Sequence, residues 1–237
     1  WSSDVCSSDL DAAQFRAAKT GQSMGRFPDG AREFSRLSAV TPGRRNAARE
    51  LPAVVLNEIY FSPILGDAGG EFVELWNTST QPVDVGGWKL AGGVRFQIPP
   101  GKILAPDDYL VIAGNAAALA AARPEIPPGR IAGAWDGKLS GKGEALRLEA
   151  FELEVTPSKG GFITNRNYYA VDEARYAAGG RYSRWSDGGG SSLEKIDPRT
   201  DGRIAASWAD SDNRSEEHTS GLQPPCNLVC RLLLEKK

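Results

Sequence analysis

The strongest constraint on this chain is how its apolar residues are divided. Short runs of β-branched and aromatic residues are cut every few positions by glycine or proline, and only one stretch favours a helix. VVLNEIYF (Val54–Phe61), EFVELWN (Glu71–Asn77) and EALRLEAFE (Glu144–Glu152) place apolar side chains at alternate positions, the period of a strand. GWKLAGG (Gly87–Gly93) and VRFQIP (Val94–Pro99) join through a two-glycine turn and read as a hairpin. ILAPDDYLVIAG (Ile103–Gly114) holds a turn at Pro106-Asp107 and then an apolar strand. YYAVDEARY (Tyr168–Tyr176) and Ser192–Ile196 complete the pattern, and the block closes near SWADSD (Ser207–Asp212). NAAALAAARPE (Asn115–Glu125) is the exception: Asn115 is placed to cap a short alanine helix that Pro124 ends. Residues 156–167 are polar and glycine-containing and are expected to form an inserted loop. About seven to nine short strands with one inserted helix predict an all-β sandwich or barrel, because an α/β sheet needs helices between its strands.

The two ends do not belong to this pattern. Asp4–Leu10 (DVCSSDL) and Arg214–Thr219 (RSEEHT) can be encoded by opposite strands of one oligonucleotide. Both are expected to be translated sequencing adapter, and Asn227–Lys236 (NLVCRLLLEK) resembles the far end of the same adapter. Residues 1–10 and 214–237 are therefore set aside as adapter-like. That removes all three cysteines (Cys6, Cys226, Cys230) and the single histidine, His218. A zinc site from Cys226, Cys230 and His218 is not expected, since a tetrahedral site needs about four ligands.

What is left limits the chemistry. The formal net charge of the whole chain is −2, and removing the ends leaves it near neutral, so the broad basic stripe of a nucleic-acid binder is absent, although Arg44, Arg45 and Arg49 form a local basic patch. No apolar run approaches the length of a membrane-spanning helix. GQSMG (Gly21–Gly25) has the spacing of the G-x-S-x-G nucleophile motif but falls in a turn-rich segment, and no phosphate-binding G-x-x-x-x-G-K-[ST] occurs. GGGSS (Gly188–Ser192) precedes a strand rather than a helix, so it reads as a turn and not as a phosphate cradle. No cofactor is expected.

Two sets of residues remain as candidates. Glu58, Asp67 and Glu74 cluster around the first two strands, and Glu58 and Glu74 would share a face if those strands pair. They are calcium candidates by ligand chemistry, with solvated strand faces as the competing reading. Trp135 and Trp185 fall near loops, with Arg181, Tyr182 and Arg184 close in sequence. Exposed aromatics beside arginine stack on sugars or bases, or anchor a protein partner. Trp76 and Trp88 lie within strand patterns and read as core.

VVLNEIYFSP, GGEFVELWNTSTQPVDVGGWKL and FQIPPGKILAPDDYLVIAGN, in that order, resemble the opening half of bacterial lamin-tail domains. GGGSSLEKIDPRTD and SWADSD resemble how such domains close. The resemblance covers about residues 53–212 and implies an immunoglobulin-like β-sandwich with one short inserted helix. GRFPDG (Gly25–Gly30) and TPGRRN (Thr41–Asn46) resemble the last strands of a second such domain. The expected organisation is thus a remnant of an upstream domain at 11–46, a linker at 47–52 and a lamin-tail-like sandwich at 53–213. The function implied is a non-catalytic binding or spacer module of a larger exported bacterial protein, located outside the cell or at its surface. Its partner would be a protein or a surface polymer, with nucleic acid the less favoured partner. The alternatives are a fragment of a spore-coat-kinase-like or hydrolase enzyme with its catalytic domain elsewhere, or a nucleic-acid-binding tail.

Overall fold

A computed structural model describes residues 17–64, 67, 70–182 and 185–211. The adapter-like ends, with His218 and the three cysteines, lie outside the described residues, as does Arg184. The chain divides into two compact units, Trp1–Leu51 and Pro52–Lys237.

In the first unit, β1 (Ser23–Arg26) and β2 (Phe34–Leu37) form an antiparallel hairpin. Gly25 is required there by close approach: a Cβ would sit 2.7 Å from a Leu37 methyl and 3.2 Å from the Asn46 amide nitrogen. Asn46 Nδ2 donates to the Arg26 carbonyl at 2.9 Å, and its backbone N–H to Asp29 at 3.0 Å. Residues 47–52 are expected to be linker, yet Arg49 bridges to Leu37, and the Glu50 N–H donates to the Arg36 carbonyl at 2.9 Å. The backbone there is part of a ladder.

The second unit is a sandwich of two sheets. The first has six strands in the order β10–β9–β4–β3–β14–β15: Ile131–Ala134, Tyr109–Ala113, Phe72–Asn77, Val54–Tyr60, Leu193–Lys195 and Trp208–Asp210. All neighbours are antiparallel except β10 and β9. The second sheet is antiparallel, in the order β11–β7–β6–β12–β13: Asp136–Gly137, Val94–Gln97, Lys89–Ala91, Gly143–Ser158 and Gly161–Ala177. A small pair, β5 (Val83–Asp84) with β8 (Ile103–Leu104), completes the strands. The all-β, immunoglobulin-like sandwich expected from the sequence is the fold observed.

Alternation explains the packing. Val73 and Leu75 of β4 enter the core with Leu110 and Ile112 of β9, and Leu90, Leu146 and Leu148 meet them from the other sheet. Phe72, Val111 and Ala113 point the opposite way and pack with Tyr60, Leu119 and Ile126. That second cluster is why the inserted helix stays. α1 (Ala116–Ala122) buries Leu119 on the sheet, and Asn115 caps it by accepting the Ala118 N–H at 3.0 Å, as its sequence implies.

A bulge in β3 breaks the alternation between Leu56 and Glu58, so Leu56 and Ile59 both face the core. The Leu56 N–H donates to Asp172 of β13 at 2.9 Å. Asp172 also accepts from Lys195 of β14 at 3.0 Å, and the Lys195 side chain is fully buried. One carboxylate therefore links the two sheets.

One expectation needs correction. Residues 156–167 are not a loop: β12 and β13 run through them as a ribbon whose paired positions reach Ser158↔Gly161, turning at Lys159-Gly160. The turn-forming residues suggested a loop, but Val155, Thr156, Phe162, Ile163 and Thr164 favour strand.

Asn77 closes the end of β4. Its Nδ2 donates to the carbonyls of Gln81, Leu104 and Ala105 at 2.8–3.0 Å, and its Oδ1 accepts from Ser79 N–H and Oγ. Asn77→Ala should cost about 2–3 kcal/mol in urea unfolding, because buried carbonyls lose their donor. Lys195→Met should cost about 3–5 kcal/mol, since it leaves Asp172 without its cation; Asp172→Asn in the same chain should restore part of that by removing the charge while keeping an acceptor for Leu56.

Candidate functional site

The structure separates the aromatic candidates. Trp135 is only 5% exposed and belongs to the core, packed near Gly114. Its place as an exposed loop anchor is corrected: the segment around it lies against the sheet, and its backbone N–H donates to the Ala113 carbonyl at 3.0 Å. Tyr182 is half-buried against the core, with its hydroxyl donating to the Arg175 carbonyl at 2.7 Å. Burial pushes that phenol above its ordinary range. Arg181 is exposed, and Trp185 is 65% exposed. Next to Trp185, Ser186 is buried, and Asp187 accepts a long bond from Ser62 at 3.4 Å. Of this set Trp185 and Arg181 offer open surface, while Trp135 and Tyr182 are largely structural. Trp76 and Trp88, expected as core, are only partly buried: Trp88 packs on the core, and Trp76 stacks on Tyr109 at 5.7 Å.

The carboxylates divide as well. Glu58 and Glu74 stand opposite each other on β3 and β4, and both are nearly fully buried. Ser192 Oγ donates to Glu58, and Asn57 Nδ2 donates to Glu74 at 2.7 Å. Arg130 lies near Glu74; burial lowers the Arg130 pKa, and the Glu74 charge opposes that shift. Asp67 lies apart, paired with Arg123 at 3.4 Å just after α1. Burial first and then the Asp67 carboxylate push the Tyr60 hydroxyl up to about 12. Among the described residues no three His, Cys, Asp or Glu side chains gather as a metal-ligand set. Two of the three calcium candidates meet and the third is held by arginine.

A further acidic group joins β12 to the 138–142 segment. Glu144 accepts the Ser140 N–H at 2.8 Å and the Tyr176 hydroxyl at 2.9 Å, and Glu71 accepts the Leu139 N–H at 3.1 Å. Burial, followed by the bond to Glu144, raises the Tyr176 pKa far above its ordinary value. These carboxylates hold backbone and phenol donors in place, which is a scaffolding task.

Sequence reasoning missed the most exposed apolar surface. Beyond Glu149 the two strands, among the described residues, form ladder pairs only with each other. Paired residues of antiparallel strands share a face, so Leu153, Val155 and Pro157 lie with Phe162, Thr164 and Arg166. Leu153, Val155 and Phe162 are 57–76% exposed. At its base Phe151 packs on Tyr168 at 5.6 Å, Arg166 stands 4.8 Å over the Phe151 ring and Lys89 stands 3.5 Å over Tyr168. The odd-numbered apolar series Phe151, Leu153, Val155, Pro157 was the available signal.

This architecture can be set beside known proteins. Residues 47–150 match the family model of the Lamin Tail Domain. The lamin-tail resemblance read from the strands is thereby shown over that stretch. Lamin tail domains are immunoglobulin-like modules of a binding kind. The match spans β3 to the first half of β12, with α1 inside it. No curated protein matches the chain. Among solved structures, a DUF4876 family protein from Bacteroides thetaiotaomicron VPI-5482 is similar at 10% identity and a TM-score of 0.42, covering 76% of this chain and 75% of that one.

Glu71 gives a pH prediction. Burial raises its pKa above the ordinary 4.5, against the Leu139 N–H and Lys138, which lower it. The folded state thus holds this proton more tightly than the unfolded chain. Its stabilisation is full below 4.5 and is lost as pH rises through the raised value. Glu71→Gln should flatten the fall in Tm between pH 4.5 and that raised value and leave the variant more stable than the parent at neutral pH, read by thermal melts across a pH series.

Proposed function

We propose that the chain is a non-catalytic binding module of a larger exported bacterial protein, acting at the cell surface and attaching to a protein partner through the β12–β13 ribbon. The observation that carries this is the row Leu153, Val155, Pro157 and Phe162, held in the open on a paired ribbon that extends past the core. A soluble domain exposes such a contiguous row at a cost in solubility, and it marks a contact surface. The lamin tail match supports a binding role over a catalytic one. The carboxylates of the sandwich are engaged by backbone, serine, asparagine and tyrosine donors, which supports scaffolding rather than acid–base chemistry.

A second reading rests on Trp185, which is exposed beside the glycine turn, with the exposed Arg181 close by in sequence. A flat aromatic with a neighbouring cation suits stacking on a surface polysaccharide.

Both are tested by partitioning of the labelled full chain onto isolated bacterial envelopes. Replacing residues 152–167 by a two-residue turn should remove most binding while leaving a cooperative melt, and protease treatment of the envelope should do the same. Trp185→Ala should leave binding within about twofold. Loss on Trp185→Ala with survival of the ribbon deletion would favour the polymer. Equal binding by all three chains sinks both.

A further inference from the structure

The ribbon has two long edges, and they are not alike. β12 carries Pro157, which has no N–H to give, opposite Phe162. The Pro157/Phe162 pair is therefore of the kind that does not exchange hydrogen bonds within the ribbon. Antiparallel pairs alternate, so Thr164 and Arg166 follow the same rule. Phe162, Thr164 and Arg166 accordingly turn their N–H and C=O groups away from β12, toward the outer edge of β13. β13 ends its sheet, and among the described residues it pairs only with β12 along the ribbon. Residues 161–167 are exposed throughout. Proline at 157 blunts the β12 edge, but between Gly161 and Asn167 no proline or acidic residue protects the β13 edge.

We propose that this edge pairs antiparallel with β13 of a second copy of the chain, on a two-fold axis through Thr164. The proposal rests on the reading of the ribbon as the contact surface. The sequence is complementary to itself in that register. Thr164 faces Thr164 of the partner copy, a favourable cross-strand pair. Phe162 faces the partner copy's Arg166 twice. Within one chain Arg166 already sits 4.8 Å over the Phe151 ring, so its chemistry suits an aromatic face. On the reverse face Ile163 meets Asn165, and Gly161 meets Asn167, with no like charges opposed. The two-fold also keeps the outer faces together, so the row Leu153, Val155, Phe162 of each copy joins into one apolar surface. Strand addition of this size buries a small interface and gives weak, concentration-dependent association.

The test is sedimentation equilibrium on the full chain and three variants. The parent should dimerise with a Kd on the order of 100 µM, as expected for an interface of this class. Thr164→Pro, which removes the donor at the axis but none within the ribbon, should leave only monomer. Phe162→Lys places a cation against Arg166 and should weaken the dimer roughly tenfold, whereas Phe162→Glu gives Arg166 an anion and should keep it within about threefold. Phe162 is exposed, so all chains should melt alike. A parent that stays monomeric at every concentration overturns the pairing, and so does equal loss in the lysine and glutamate variants. If pairing fails while the ribbon deletion still abolishes envelope binding, the ribbon is a contact for other proteins and the functional reading survives.

Discussion

The sandwich depends on one carboxylate between its layers. Asp172 accepts from the Leu56 N–H, which the β3 bulge withdraws from the ladder, and from the buried Lys195 ammonium. A buried ion pair is weak evidence for stability, because desolvation offsets much of the attraction. Its structural consequence here is register. With Asp172 fixed on β13 and Lys195 on β14, the two sheets have one way to stack, and the bulge brings Leu56 and Ile59 together into the core. The same bulge brings Glu58 opposite Glu74, so the acidic pair on the outer face follows from a packing decision on the inner one.

Polar groups elsewhere follow the same logic of holding chain ends in place. Asn77 gathers three carbonyls from two segments, Glu71 and Glu144 receive backbone donors from the 138–142 segment, and Asp201 grips Arg203 and its own turn. These side chains spend their hydrogen-bonding capacity on scaffold. Surface open to other molecules includes the apolar side of the ribbon and the exposed Trp185, both carried by elements at the margin of the sandwich. That division, a rigid polar-pinned interior and contact surfaces on extensions, suits a module that joins things together.

Much of the framework was legible because it is local. The strands from Val54 to Asn77, the two-glycine hairpin at Gly92-Gly93 and the Asn115 cap each have their signal within a few residues. The ribbon was legible too, in the alternate apolar residues from Phe151 to Pro157, but its exposed polar positions and the Gly160-Gly161 pair suggested a loop. Trp135 shows the opposite failure: its neighbours look like loop, yet Gly114 and the core admit its ring.

The sequence by itself determined strand periodicity, the position and length of the helix, and where turns fall, because dihedral preference and alternation act over a few bonds. Only the tertiary structure decided which carboxylates meet, that Asp67 turns to Arg123 and away from the glutamates, that Asp172 reaches Lys195, and which ribbon edge stays open. Those outcomes depend on pairing between residues far apart in the chain. No local preference encodes such contacts, since they arise when two sheets close over a shared core.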